Sequence, residues 1–202
     1  MTITHTFLLG DNTHTFTTGE IAKQASGAVE LRVLDTVVLA TTVVSDRSKP
    51  ELGFVPLTVD YAEKAYAAGR IPGGHLKREG LPPDHVTRVA RRIDRAIRPL
   101  FRDDFRHETQ VVVQVLSAQP EVATDILATI AASASLALTG IELHDYVASV
   151  RVNCVDDRFI VNPSADITTI RLDWIYAACC TCEICQHGCT ERNAECCSGV
   201  GL

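Results

Sequence analysis

The chain has 202 residues, 46% of them hydrophobic and 22% charged, with a formal net charge of −6. These values exclude a mostly disordered chain and one that is basic throughout, and the length holds one ordinary domain, or one and a part. No apolar run reaches a bilayer's width, and the N-terminus lacks a basic segment followed by an apolar one, so a soluble, cytoplasmic protein with no membrane partner is expected.

Two β-prone runs within residues 5–17 flank Gly10-Asp11-Asn12, a hairpin signal. Val29, Leu31 and Val33 alternate with Glu30 and Arg32 as in a half-buried strand, and the β-branched run 37–44 suits a central strand. A further strand is expected over 55–61. The stretch 67–74 holds too much glycine and proline for regular structure. Beyond Pro82-Pro83 the period becomes helical: Val86, Val89, Ala90, Ile93, Ile97 and Leu100 form one apolar face, with Asp84 as the expected N-cap. Residues 109–116 read as a strand, and 124–139 as a helix closed by Gly140. A hairpin over 147–155 and 159–161 turns at Asp156-Asp157. This order predicts an α+β domain with helices packed on a mixed sheet.

Charge is distributed unevenly. Arg70, Lys77, Arg78, Arg88, Arg91, Arg92, Arg95, Arg98, Arg102 and Arg106 make up more than half of the chain's 19 lysines and arginines. Arg88, Arg91, Arg95 and Arg98 fall at i, i+3, i+7 and i+10, on one side of the predicted helix. Like charges so placed repel by roughly a few tenths of a kcal/mol per pair, a cost that a polyanion would offset. A solvated face with local ion pairs, Asp94 among them, is the alternative. The loop Gly73-Gly74-His75-Leu76-Lys77-Arg78-Glu79-Gly80 adds two cations between glycines that permit close backbone approach, but its spacing is not that of a Walker loop.

Several motifs in order carry a resemblance. Pro56-Leu57-Thr58-Val59-Asp60-Tyr61, Tyr66-Ala67-Ala68-Gly69-Arg70-Ile71-Pro72-Gly73-Gly74, Lys77-Arg78-Glu79-Gly80 and Ile93-Asp94-Arg95-Ala96-Ile97-Arg98-Pro99-Leu100-Phe101 resemble the first core domain of bacterial polynucleotide phosphorylase. The likeness runs from about His5 to Pro163, through Ala131-Ala132-Ser133-Ala134 and Val161-Asn162-Pro163. It implies an RNase PH-like fold (the ribosomal protein S5 domain 2-like kind) over residues 1–163, incomplete at the C-terminus.

The resemblance also implies a ring-shaped homotrimer that degrades single-stranded RNA from its 3′ end, within an RNA-degradation complex in some settings. Inorganic phosphate is the co-substrate, magnesium the cofactor, and nucleoside diphosphates the products of mRNA turnover. By position, His75, Leu76, Lys77 and Arg78 occupy the loop that lines the ring aperture, and Arg91 and Arg95 match helix arginines that help bind RNA. The aperture loop usually presents two aromatic residues where His75 and Leu76 stand, so base stacking should be weaker here. No catalytic residue is assigned in this chain: the family's phosphate-binding serine and metal-binding aspartates belong to a second core domain, for which these residues leave no room. Asp60, Asp94, Asp103, Asp104 and Asp125 read as turns, caps and ion pairs, because a metal site needs convergent oxygens.

Residues 164–202 form a separate, non-family tail that holds seven of the chain's 8 cysteines. Cys182, Cys185 and Cys189, with His187 between them, have enough soft ligands for a weak zinc alternative, yet the spacing fits no standard zinc motif. A disulfide framework would need an oxidising compartment. The preferred reading is translation out of frame: shifting cysteine codons by one base yields valine or alanine, and 185–189 then resembles the apolar sequence expected there.

Overall fold

The computed structural model describes residues 1–9, 12–74, 80–155, 158–162 and 172–179. Six strands form the larger sheet: β1 (Ile3–Leu9), β2 (Asn12–Thr18), β3 (Gly27–Val33), β4 (Thr36–Ser48), β5 (Leu57–Glu63) and β6 (His107–Ser117). Their order is β1-β2-β3-β4-β6-β5, antiparallel except for the parallel pair β5 and β6. A parallel pair needs a crossover, which is supplied by helix α1 (Asp84–Ile97). Helix α2 (Thr124–Ala137) follows β6. Strands β7 (Val147–Val155), β8 (Arg158–Val161) and β9 (Leu172–Cys179) make a second, antiparallel sheet in the order β8-β7-β9. The expected α+β architecture with a mixed sheet is present.

The two helices differ because their surroundings differ. In α1 the buried positions Val86, Val89, Ile93, Ala96 and Ile97 recur at helical spacing, leaving the opposite side to charged residues. By contrast, α2 lies between the sheets and is buried nearly all round. Leu31, Val38, Val111 and Val113 of the large sheet join Ile93, Ile97, Leu127, Leu136 and Val147 in one core. The hydroxyls of α2 and of the strands packed on it are satisfied rather than wasted. Ser135 Oγ lies 2.8 Å from Thr42 Oγ1, Ser133 Oγ accepts the Val147 N–H at 2.9 Å, and Ser149 donates to the Ile126 carbonyl at 3.1 Å.

The small residues of α2 allow β3 unusually close. A Cβ on Gly27 would stand 2.1 Å from the Ser135 carbonyl oxygen, a backbone atom with no room to retreat. Gly27→Ala should therefore destabilise the fold by about 3 kcal/mol, the upper range for overpacking a core. Chemical denaturation checks this, and an unchanged midpoint would contradict it.

Local expectations are corrected at several places. Asp84 is the first helical residue of α1 rather than its cap: Pro83 occupies that position, and no side chain caps the helix. Proline there is compatible because the position requires extended φ and ψ. Strand β4 continues past residue 44 to Ser48, with irregular register near both ends, and β5 starts at Leu57 rather than at residue 55. The turns at 10–11 and 156–157 lie outside the described residues. Strand β9 comes from the stretch that sequence assigns to the tail; it pairs with β7 from Val147↔Cys179 to Cys154↔Leu172, and Ala177 reaches the core.

Candidate nucleic-acid interface

The site begins with the exposed side of α1. Arg88, Arg91 and Arg95 all face solvent. Arg91 and Arg95 also line a groove of about 500 Å³ between α1 and β5, with Thr58, Asp60, Thr87 and Asp94. Neither arginine has a hydrogen-bonding or ion-pairing partner among the described residues. Two free guanidiniums one helical turn apart present planar forks with the geometry phosphate oxygens require.

The other arginines of this segment are tied into the fold. Arg98, in the short 3₁₀ turn that follows α1, grips the Asp94 carboxylate through Nε at 3.0 Å and through Nη2 at 2.5 Å. It also donates to the Val55 carbonyl at 2.9 Å and the Leu57 carbonyl at 3.2 Å. Arg98 therefore fastens the start of β5 to the end of α1 and sets the groove's width at that end. The stripe expected from sequence splits accordingly: Arg98 is structural, while Arg91 and Arg95 remain available. The Asp94–Arg98 spacing of i, i+4 was the sequence signal for that pair.

Arg92 points toward α2. Its Nη1 lies 3.1 Å from Asp125 Oδ2, which also accepts from Arg151 Nη2 at 2.8 Å. Nearby, the Tyr61 hydroxyl donates to Glu63 at 2.7 Å and lies 3.3 Å from Thr124 Oγ1. Burial pushes the Tyr61 pKa far up, so the phenol stays protonated and acts as a donor throughout the neutral range. Sequence alone offered no signal for this cluster, because its members come from four separate elements.

The carboxylates do not converge. Asp60 accepts from Gln110 at 3.0 Å, Asp94 pairs with Arg98, Asp104 with Arg102, and Asp125 with two arginines. Among the described residues, no three His, Cys, Asp or Glu side chains gather as a metal site. These residues therefore do not fit a resident magnesium ion. His75, Leu76, Lys77 and Arg78 lie outside the described residues, as do Cys182, Cys185 and Cys189. The flanks of the first group are described: Gly74 has φ of 69°, a conformation glycine adopts without strain, and Pro82 lines the groove.

Residues 13–142 match the 3′ exoribonuclease family, domain 1 (RNase PH), and the chain belongs to that family. Among solved structures it is similar to a chain of the Archaeoglobus fulgidus exosome with RNA bound to the active site. The TM-score is 0.62 at 14% identity, over 94% of this chain and 78% of that one. The fold is thus RNase PH-like. Among the described residues, no helix is long and apolar enough to cross a membrane.

Proposed function

We propose that this chain is the RNA-guiding, ring-forming first core domain of a polynucleotide phosphorylase. Residues 1–163 form the family core, and 164–202 are a tail read out of frame whose strand at 172–179 pairs with β7. The observation that carries the reading is the pair Arg91 and Arg95, without partners among the described residues above an open groove, while Arg92 and Arg98 are tied down. RNA bound in the exosome to which this fold is similar supports the ligand class. By the family resemblance, Lys77 and Arg78, with His75 and Leu76, belong to the loop that guides the strand through the ring aperture. Contact through phosphates positions a strand without reading its sequence. Weak stacking at His75 and Leu76 leaves electrostatics as the main grip.

In the reaction proposed for the assembled enzyme, an oxygen of inorganic phosphate bonds to the terminal phosphorus of RNA. The bond from that phosphorus to the preceding 3′ oxygen breaks, releasing a nucleoside diphosphate. Magnesium would stabilise the charge developing there, but it belongs with residues other than those described here. This chain's own part is to bind and orient the strand. The assembly is a cytoplasmic homotrimer serving mRNA turnover, alone or in an RNA-degradation complex.

The test is incubation of the chain with poly(A), with and without phosphate. Binding without ADP release is expected. Phosphate-dependent ADP release by this chain alone would show that it carries its own chemistry, and absence of RNA binding would remove the reading altogether.

A further inference from the structure

The groove that holds Arg91 and Arg95 has a second wall. Thr58 and Asp60, both exposed, line it from β5. Alternate residues of a strand share a face and repeat every ~7 Å, while Arg91 and Arg95 repeat at ~6 Å along the helix. The two walls thus offer polar groups at nearly the same interval. Their chemistry is opposite: guanidiniums only donate hydrogen bonds, whereas a carboxylate only accepts them. Asp94, the groove's other carboxylate, is engaged by Arg98. Asp60 is held differently. Its Oδ2 accepts from Gln110 Nε2 at 3.0 Å, and among the described residues no Lys or Arg pairs with it and Oδ1 has no partner. Gln110 stands on β6, so a neighbouring strand fixes the carboxylate while leaving one oxygen open to the groove.

A carboxylate without a cation beside a path for phosphates weakens binding unless it meets a donor on the same strand. A nucleotide has few donors: the 2′-hydroxyl, present on every ribose, and base N–H groups, which differ from base to base. The sugar is bonded directly to the phosphate that a guanidinium would hold, so its hydroxyl is the nearer of the two. We propose, resting on the RNA reading above, that Asp60 accepts a hydrogen bond from a ribose 2′-hydroxyl and makes this groove prefer RNA over DNA. Arg91 and Arg95 grip phosphates, which the two polymers share; Asp60 reads the one sugar group they do not. Against DNA the same carboxylate stays unpaired beside phosphates, so it discriminates by rejection as well as by attraction. An acidic side chain on the 2′-hydroxyl is also how dinucleotide-binding folds hold a ribose.

Fluorescence anisotropy with the full chain tests the proposal, comparing oligouridylate with oligodeoxyuridylate of equal length, which differ only in the 2′-hydroxyl. The wild-type chain should bind the ribo form about tenfold more tightly, as one hydrogen bond to a charged group allows. Asp60→Ala should cut that ratio to about twofold or less, weakening the ribo form by loss of the bond and tightening the deoxy form by loss of the repelling charge. Asp60 is exposed, so the variant should keep its fold, read by circular dichroism. Arg91→Ala should weaken both forms. Equal binding of the two forms by the wild type would overturn the proposal, as would a preference that survives Asp60→Ala. An effect of Asp60→Ala on oligoadenylate that is absent on oligouridylate would overturn it too, assigning the carboxylate to a base amino group. In each of these cases the RNA reading stands if Arg91→Ala still weakens both forms; binding indifferent to Arg91→Ala would overturn both.

Discussion

Replacing Arg91 and Arg95 together by alanine is expected to weaken binding of single-stranded RNA at least about tenfold at low salt, equally for poly(A), poly(U) and mixed sequences. Uniform loss follows because guanidiniums that meet phosphates carry no base information. The salt dependence should change in parallel. Each lost phosphate contact on a single strand removes roughly 0.7 from the log–log slope, so the double variant should lose about 1.4. Folding should be unaffected, since both side chains are exposed and have no partner among the described residues. Arg88→Ala serves as the internal comparison: Arg88 shares the exposed side of α1 but does not line the groove, and its loss should matter less. Equal effects from Arg88 and Arg91 would point to general electrostatics rather than a groove.

Asp125→Ala should act on stability instead. The Asp125 side chain is 13% exposed and holds two arginines, one from α1 and one from β7. Its removal leaves both guanidiniums facing each other in a partly buried space, and it takes a favourable negative charge from the first turn of α2. Stranding buried charges costs about 3–5 kcal/mol; here both arginines keep some contact with solvent, so about 2–3 kcal/mol is expected. For a chain of this size that is a fall in Tm of roughly 5–10 °C, read by circular dichroism. An unchanged Tm would show that the two arginines find other partners or water.

Much of the fold was legible where pattern and environment coincide. The alternation at Val29, Leu31 and Val33 and the helical period from Val86 to Ile97 each reflect a surface with one buried side. Boundaries were less legible, because they depend on neighbours. Strand β5 begins at Leu57, where its pairing with β6 begins opposite Thr109. Strand β9 rests on backbone pairing with β7, which a cysteine-rich composition does not advertise. The site follows the same division. The arginine stripe could be read from spacing, but sorting it into free and engaged members needed Val55, Leu57 and Asp125, which lie roughly 30–40 positions away in the chain. Sequence can therefore place charge on a helix face, while only the packed structure shows which charges remain available to a ligand.

The most direct measurement of the central claim is photocrosslinking of 4-thiouridine RNA to the chain, with adducts mapped by mass spectrometry. The account predicts adducts in the segments that line the α1–β5 groove, 57–61 and 86–95, competed away by unlabelled RNA and lost with rising salt. Adducts confined to other surfaces, or insensitive to salt, would contradict it.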